Sequence, residues 1–145
     1  MEFVIRRCRP EDADAICRLS REELGYDYPL EAARDKCRRL LNSEADRIYV
    51  AKAEGLVVGY VHANDYDVLY APHMKNIMGI AVSGACRGGG VGRALLNAVE
   101  AWARDTGASA VRLVSGPARA GAHAFYRRCG YDRERQQLNF TKWLS

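Results

Sequence analysis

A cluster of glycines between an apolar strand and an amphipathic helix constrains this chain more than any other feature. Residues 82–94 read V-S-G-A-C-R-G-G-G-V-G-R-A, and the strongly apolar run Asn76–Val82 leads into them. A helical pattern of apolar residues then continues until it stops near Gly107. The bare backbone positions of the turn are Gly88, Gly89, Gly90 and Gly92.

Such a strand–turn–helix segment predicts a cradle for an anion. Backbone N–H groups without neighbouring side chains can approach a ligand, and the helix N-terminus adds its positive dipole end, which suits a phosphate or a pyrophosphate. A flexible turn with a helix cap is the alternative. A Walker loop is excluded because no Lys follows the glycines, and the dinucleotide fingerprint fails because Arg93 stands three residues after Gly90.

Length and composition predict one globular domain that spans residues 1–145. The chain has 48% hydrophobic and 28% charged residues, which is not a disordered composition. Apolar runs are only a few residues long, and the start Met1–Arg6 lacks a secretory signal, so we expect no membrane segment and a cytoplasmic location. Five widely spaced Cys without a C-x-x-C pair indicate reduced thiols and no metal site.

The charge distribution favours an anionic ligand rather than a nucleic acid. The net charge is +4, and residues 117–145 alone carry 6 Lys and Arg against 2 Asp and Glu. This basic end suits a phosphate group. No long basic stripe with interleaved aromatic residues is present, so we expect no nucleic-acid partner.

The order of predicted elements is β-α-α-β-β-β-α-β-α-β-β, an α/β arrangement around a mixed sheet. The strands are predicted at 3–5, 47–51, 56–62, 76–82 and 110–114, with a final hairpin-like pair from Tyr131 onward. The helices are predicted from Pro10 to Gly25, at 30–41, from Val91 to Gly107, and at 120–128. A polar, aromatic connection is expected over 64–74.

Two sequence blocks carry a resemblance to a known family. The run Arg87–Gly92 fits R/Q-x-x-G-x-G/A, and Ala122–Tyr131 fits A-x-x-F-Y-x-x-x-G-Y/F. Both patterns, and the order of elements, resemble the GCN5-related N-acetyltransferase (GNAT) superfamily. The resemblance implies a mixed, mostly antiparallel sheet of about 6–7 strands flanked by about 4 helices. It also implies acetyl-CoA as the cofactor.

The same resemblance implies the coenzyme site. Main-chain amides of 87–92 would hold the pyrophosphate, and strand-edge backbone would bind the pantetheine arm, with an amide near Ile80 polarising the thioester carbonyl. Tyr126 falls on the position of the family's general acid. Where many members carry Asn, this chain has Arg119, which cannot accept a hydrogen bond. The coenzyme-binding residues implied are Ile80, Ala81, Val82, Arg87, Gly88, Gly89, Gly90, Val91, Gly92, Arg93, Arg119 and His123.

The acceptor side is less determined. Many members carry an acid on the strand before the loop, but residues 76–82 contain none. A base must therefore come from elsewhere or act through water, and the candidates are Asp65, Asp67, His73, Glu22 and Glu23. Tyr rings and carboxylates suit a cationic amine, which makes Tyr26, Asp65, Asp67, Tyr70 and His73 the expected substrate-binding residues.

The sequence thus predicts an N-acetyltransferase that transfers acetyl from acetyl-CoA to a primary amine by direct attack. The expected acceptor is a small molecule: an amino sugar or aminoglycoside-like amine, a polyamine or an amino-acid derivative. A protein Lys or N-terminal acetyltransferase is one alternative, and a non-catalytic coenzyme A-binding module is another. Homodimer formation stays open.

Overall fold

A computed structural model describes all 145 residues, which form two compact units, 1–113 and 114–145. The first unit contains five strands and three helices: β1 (Val4–Arg7), α1 (Ala13–Leu24), α2 (Leu30–Leu41), β2 (Asp46–Ala53), β3 (Leu56–Tyr66), β4 (Met74–Val82), α3 (Val91–Asp105) and β5 (Ala110–Leu113). The second unit contains one helix, α4 (Ala120–Arg128). That the two units form the single domain expected from the sequence stays a prediction.

The first unit is built on a five-stranded sheet in the order β1-β2-β3-β4-β5. The first three strand pairs are antiparallel, and β5 joins β4 in parallel after the crossover through α3. This mixed, mostly antiparallel sheet with four helices confirms the predicted fold class. None of the four helices has the length and apolar character that crossing a membrane requires.

Successive side chains of β3 point to opposite faces of the sheet, and their contacts show which helices cover each face. Tyr60 belongs to a core cluster with Leu19 of α1 and Cys37 of α2. The neighbouring Gly59 points the other way, and a Cβ atom there would lie 3.1 Å from Val91 of α3. Helices α1 and α2 therefore cover one face, and α3 packs so closely on the other that a side chain at position 59 would require Val91 to shift by a few tenths of an ångström.

The start of α1 is fixed by a buried carboxylate. Asp12 ends a 3-10 turn over Pro10–Asp12, accepts a hydrogen bond from the Arg9 backbone N–H at 2.8 Å, and pairs with the Arg6 guanidinium at 2.7 Å. Burial alone works to raise the pKa of Asp12, but the bonds from Arg6 and Arg9 outweigh it and hold the pKa below its usual value. The Asp12 side chain thus links β1 to the start of α1.

Two predictions about the strands are wrong. The expected connection over 64–74 is shorter, because β3 runs to Tyr66 and β4 begins at Met74. The expected hairpin after Tyr131 does not form, and residues 131–145 contain no helix or strand, so the sheet has five strands instead of six or seven. Alternating apolar residues such as Leu138 and Phe140 favour a strand, but a strand requires an edge to pair with, and both side chains are exposed.

Candidate functional site

The glycine-rich turn lies between β4 and α3, where the sequence predicts it. Gly88 and Gly90 have φ values of +84° and +87°, a region that favours glycine. Helix α3 begins at Val91 directly after Gly90, and no side chain caps its first turn. The first N–H groups of a helix have no intrahelical partner, so this end of α3 has the polarity that suits an anion.

Glu23, at the end of α1, anchors the start of this turn. Its carboxylate accepts a hydrogen bond from the Gly84 backbone N–H at 3.0 Å and one from the Arg87 guanidinium at 2.6 Å. The Glu23 side chain is 15% exposed, whereas that of Arg87 is 65% exposed. Glu23 is one of the candidate bases in the sequence, but in the structure its carboxylate is engaged with the loop.

The strand that leads into the turn has an unpaired edge. Residues Met74–Ile77 of β4 pair with β5, and the rest of β4, through Ile80 to Val82, pairs only with β3. No strand pairs with the β5 side of this stretch, and an unpaired strand edge is the kind of backbone that an extended ligand can bind. A β-bulge marks the point where β5 ends: His62 pairs with Gly79 and Ala63 with Ile77, which leaves Met78 as the extra residue.

The second unit contains the predicted acid, Tyr126, on α4. The ring lies 5.5 Å from that of Phe125 and 6.4 Å from that of Tyr131, centroid to centroid. Burial raises the pKa of Tyr126, with a smaller opposing effect from Arg119. The phenol therefore keeps its proton at neutral pH, which a proton donor requires. Arg119 is the N-cap residue of α4, and its carbonyl accepts the backbone N–H of His123 at 3.1 Å.

Comparison with known proteins identifies the family. The family model described as "Acetyltransferase (GNAT) family" matches residues 13–131. The chain belongs to the acetyltransferase (GNAT) family. It is therefore an acyltransferase, and the resemblance inferred from the two sequence blocks is confirmed.

Several relatives of this GNAT acetyltransferase are known. It is 32% identical to an aminoglycoside N(6')-acetyltransferase type 1 of Stenotrophomonas maltophilia, over 94% of this chain and 90% of that protein. The structure of AAC(6')-Iy in complex with a bisubstrate analogue has a similar fold, with a TM-score of 0.88 at 18% identity over 99% of this chain and 100% of that one. A putative acetyltransferase from Agrobacterium tumefaciens has a TM-score of 0.84 at 22% identity, over 96% and 99% of the two chains.

Two of the expected acceptor residues lie together on the α3 face of this acetyltransferase. Asp65 accepts hydrogen bonds from His73, at 2.9 Å, and from Lys75. Lys75 is only 2% exposed, and its ammonium lies 3.7 Å from the ring centroid of Trp102 on α3. Partial burial works to raise the pKa of Asp65, but the bonds from Lys75 and His73 outweigh it, and the pKa lies below its usual value. A carboxylate engaged in this way is a weak proton acceptor.

The remaining expected acceptor residues lie in exposed connections. Tyr26, between α1 and α2, and Tyr70, between β3 and β4, are both largely exposed, and Asp67 lies in the same connection as Tyr70. The structure does not bring Tyr26 together with Asp65 and His73, since α1 and α2 cover the opposite face from α3. The role of these residues in binding an amine stays a prediction.

The bulge at Met78 and the contacts of Glu23 with the loop were not predicted from the sequence. The bulge depends on the register between β3 and β4, and the contact of Glu23 with Arg87 joins residues 64 positions apart. Neither has a local sequence signal. At position 23 the sequence shows only an acid near the end of an amphipathic helix.

Proposed function

We propose that this protein transfers the acetyl group of acetyl-CoA to a primary amine of a small molecule, with amino sugars of the aminoglycoside type as the first candidates. The observation that carries the proposal is one continuous piece of backbone. The unpaired edge of β4 leads into a glycine-rich turn and then into an uncapped helix N-terminus. An extended arm that ends in a diphosphate matches this order of binding surfaces.

In this proposal the main-chain amides of residues 87–92 bind the diphosphate of the coenzyme. The dipole of α3 favours its negative charge, and the absence of Cβ atoms at Gly88 and Gly90 leaves room for close approach. Ile80, Ala81 and Val82 offer backbone groups to the pantetheine arm, and Arg93, on the first turn of α3, adds positive charge. Arg119 and His123, on the basic second unit, are proposed as further coenzyme contacts.

The reaction is a direct transfer. The amine nitrogen attacks the thioester carbon and forms a tetrahedral intermediate, whose oxyanion is stabilised by a backbone N–H of β4. The C–S bond then breaks, and Tyr126 gives its proton to the departing sulfur. The amine nitrogen releases one proton to water, and water returns one to the Tyr126 phenolate. A thiol with an ordinary pKa of about 8.5 is a moderate leaving group, and a phenol, at about 10, still holds its proton at neutral pH. The products are the N-acetylated amine and coenzyme A.

The names of the relatives support a small-molecule acceptor. The Stenotrophomonas maltophilia protein is an aminoglycoside N(6')-acetyltransferase, and AAC(6')-Iy was crystallised with a bisubstrate analogue of coenzyme A and acetylneamine. The same relatives support acetyl-CoA as the donor. We infer that this chain uses the same class of donor and acceptor.

A thiol-release assay, which detects the coenzyme A formed in the reaction, tests this proposal directly. Purified protein with acetyl-CoA is tested against aminoglycosides, polyamines, amino-acid amides and a Lys-containing peptide. We expect turnover with at least one amino sugar and none with the peptide. Turnover with the peptide alone would transfer the assignment to protein acetylation, and no turnover with any amine would contradict the proposal.

A further inference from the structure

Two cysteines that are far apart in the sequence lie in contact in the first unit. Cys8 follows β1, Cys37 lies on α2, and their Sγ atoms are 3.9 Å apart. Both belong to the cluster of buried residues on the α1 and α2 face of the sheet. The two positions are 29 residues apart along the chain, so their spacing in the sequence gives no sign of the contact.

The position of Cys8 is fixed by its own hydrogen bonds. Its backbone N–H donates to the Ile48 carbonyl at 2.9 Å, and its thiol can donate to the Arg9 carbonyl at 3.3 Å. Cys37 is held by the helical backbone of α2. Since a disulfide bond is about 2.05 Å long, the two sulfur atoms must approach each other by about 1.9 Å to form one. A rotation of one or both side chains produces a shift of this size.

A surface cavity leads to this pair of thiols. The cavity has a volume of about 390 Å³, and Cys8 is one of the residues that line it. The other lining residues are Arg7, Arg9, Pro10, Arg38, Leu41 and Asn42. Because Cys8 is only 8% exposed and Cys37 only 7%, a reagent that reaches the sulfur atoms through the cavity must be small.

The cavity is also electropositive. Three of its lining residues are the arginines Arg7, Arg9 and Arg38, and none is an acid. Asp12, whose negative charge also acts on Cys8, is paired with the Arg6 guanidinium at 2.7 Å. Positive surroundings favour the thiolate, which is the reactive form of cysteine. The pair thus combines two sulfur atoms in contact, an access route for a small reagent and a favourable local charge.

We propose that Cys8 and Cys37 are a redox modification site, at which a small peroxide converts the two thiols into a reversible disulfide. One of the two sulfur atoms attacks the O–O bond of hydrogen peroxide, which yields a sulfenic acid and one molecule of water. The other sulfur atom then attacks the sulfenic sulfur, so that the S–S bond forms and the hydroxyl group leaves as a second molecule of water. Two thiols are oxidised and one peroxide is reduced. A dithiol reductant reverses the reaction by thiol–disulfide exchange.

Peptide mapping after treatment with hydrogen peroxide tests this proposal. The reduced full-length protein is treated with a small excess of peroxide, its remaining thiols are alkylated, and the protein is digested without reduction for mass spectrometry. We expect two of the five thiols to disappear, the intact protein to lose two hydrogen atoms, and one linked peptide pair to contain Cys8 and Cys37. Dithiothreitol should restore all five thiols.

Cys17 offers a matched control. It is 7% exposed, like Cys37, but its thiol can donate to the Tyr28 carbonyl at 3.5 Å and contacts no other sulfur. Cys17→Ala should form the same disulfide as the wild type, whereas Cys37→Ala should leave Cys8 without an intramolecular partner. In urea, where the fold no longer selects the pair, the same treatment should give a mixture of pairings.

Retention of all five thiols in the treated wild type, or a main product that links other cysteines, would overturn the assignment. The same single pairing in urea would also overturn it, because the contact in the fold would then not be what selects the pair. The peptide map of the wild type decides the question even if Cys37→Ala does not fold. No acyl donor or amine is needed, so the result is independent of the proposed function.

Discussion

The contact of Glu23 with the coenzyme loop gives the prediction that the structure supports in most detail. Its carboxylate receives the Gly84 backbone N–H and the Arg87 guanidinium, and so fixes the turn before any coenzyme binds. Glu23→Gln keeps one oxygen for Gly84 and removes the charge that attracts Arg87. Glu23→Ala removes both acceptors.

The exposure of Arg87 sets the size of the expected effect on coenzyme binding. A hydrogen bond to a charged group contributes about 1.5–3 kcal/mol. Because Arg87 is 65% exposed, screening reduces the contribution of this pair to about 1 kcal/mol. In the variants, binding of the coenzyme must itself order the loop. A free-energy loss of about 1 kcal/mol in Glu23→Gln therefore weakens coenzyme binding about fivefold, and a loss of about 2 kcal/mol in Glu23→Ala weakens it roughly 30-fold.

Calorimetric titration with acetyl-CoA measures these Kd values, and Glu22→Gln, an exposed acid next in the chain, is the charge-matched control. We expect Glu22→Gln to bind like the wild type. A change in the Kd of the opposite sign would refute the reasoning. If Glu23→Gln bound acetyl-CoA more tightly, Glu23 would be competing with the phosphate groups for Arg87 instead of ordering the loop.

Three further predictions concern the loop, the acid and the fold. Gly90→Glu places a negative side chain at a position with a φ of +87° in the proposed diphosphate site. Calorimetry should therefore detect no acetyl-CoA binding, while circular dichroism shows a folded protein. An affinity equal to that of the wild type would show that the loop is not part of the coenzyme site. Tyr126→Phe should lower kcat by about 10²–10⁴-fold with little change in the KM of acetyl-CoA, and full activity would refute its role as the acid. Asp12→Ala leaves the Arg6 charge half-buried and the Arg9 N–H without its acceptor, so urea unfolding should show a loss of about 2–3 kcal/mol. Because the pKa of Asp12 is lowered in the folded state, this contribution is complete above the unfolded value of about 3.9 and is lost as the pH falls through the folded value; an equal stability of the two proteins at pH 7 would contradict it.

Local patterns predicted the elements whose structure depends on nearby residues. Helix α2 spans Leu30–Leu41, as its apolar spacing indicated, and α4 spans Ala120–Arg128 before Gly130, as predicted. The turn at 84–92 was predictable because a cluster of glycines separates an apolar strand from an amphipathic helix, and two of them, Gly88 and Gly90, adopt a positive φ that favours glycine.

Features set by long-range pairing were not predictable in the same way. The hairpin expected after Tyr131 shows that alternating residues favour a strand without supplying the edge that a strand needs. The pairing of His62 with Asp46 depends on the register between β2 and β3, and in the sequence His62 is simply a polar residue in an apolar run. The two side chains are 16 positions apart, and only the folded sheet brings them together.

A crystal structure of the protein with bound acetyl-CoA tests the central claim most directly. The account predicts the diphosphate within about 3 Å of the backbone nitrogens of residues 88–92, the pantetheine arm along Ile80–Val82, and the Tyr126 hydroxyl within hydrogen-bond distance of the sulfur. A coenzyme bound away from the glycine-rich turn, or a Tyr126 hydroxyl directed away from the sulfur, would contradict it.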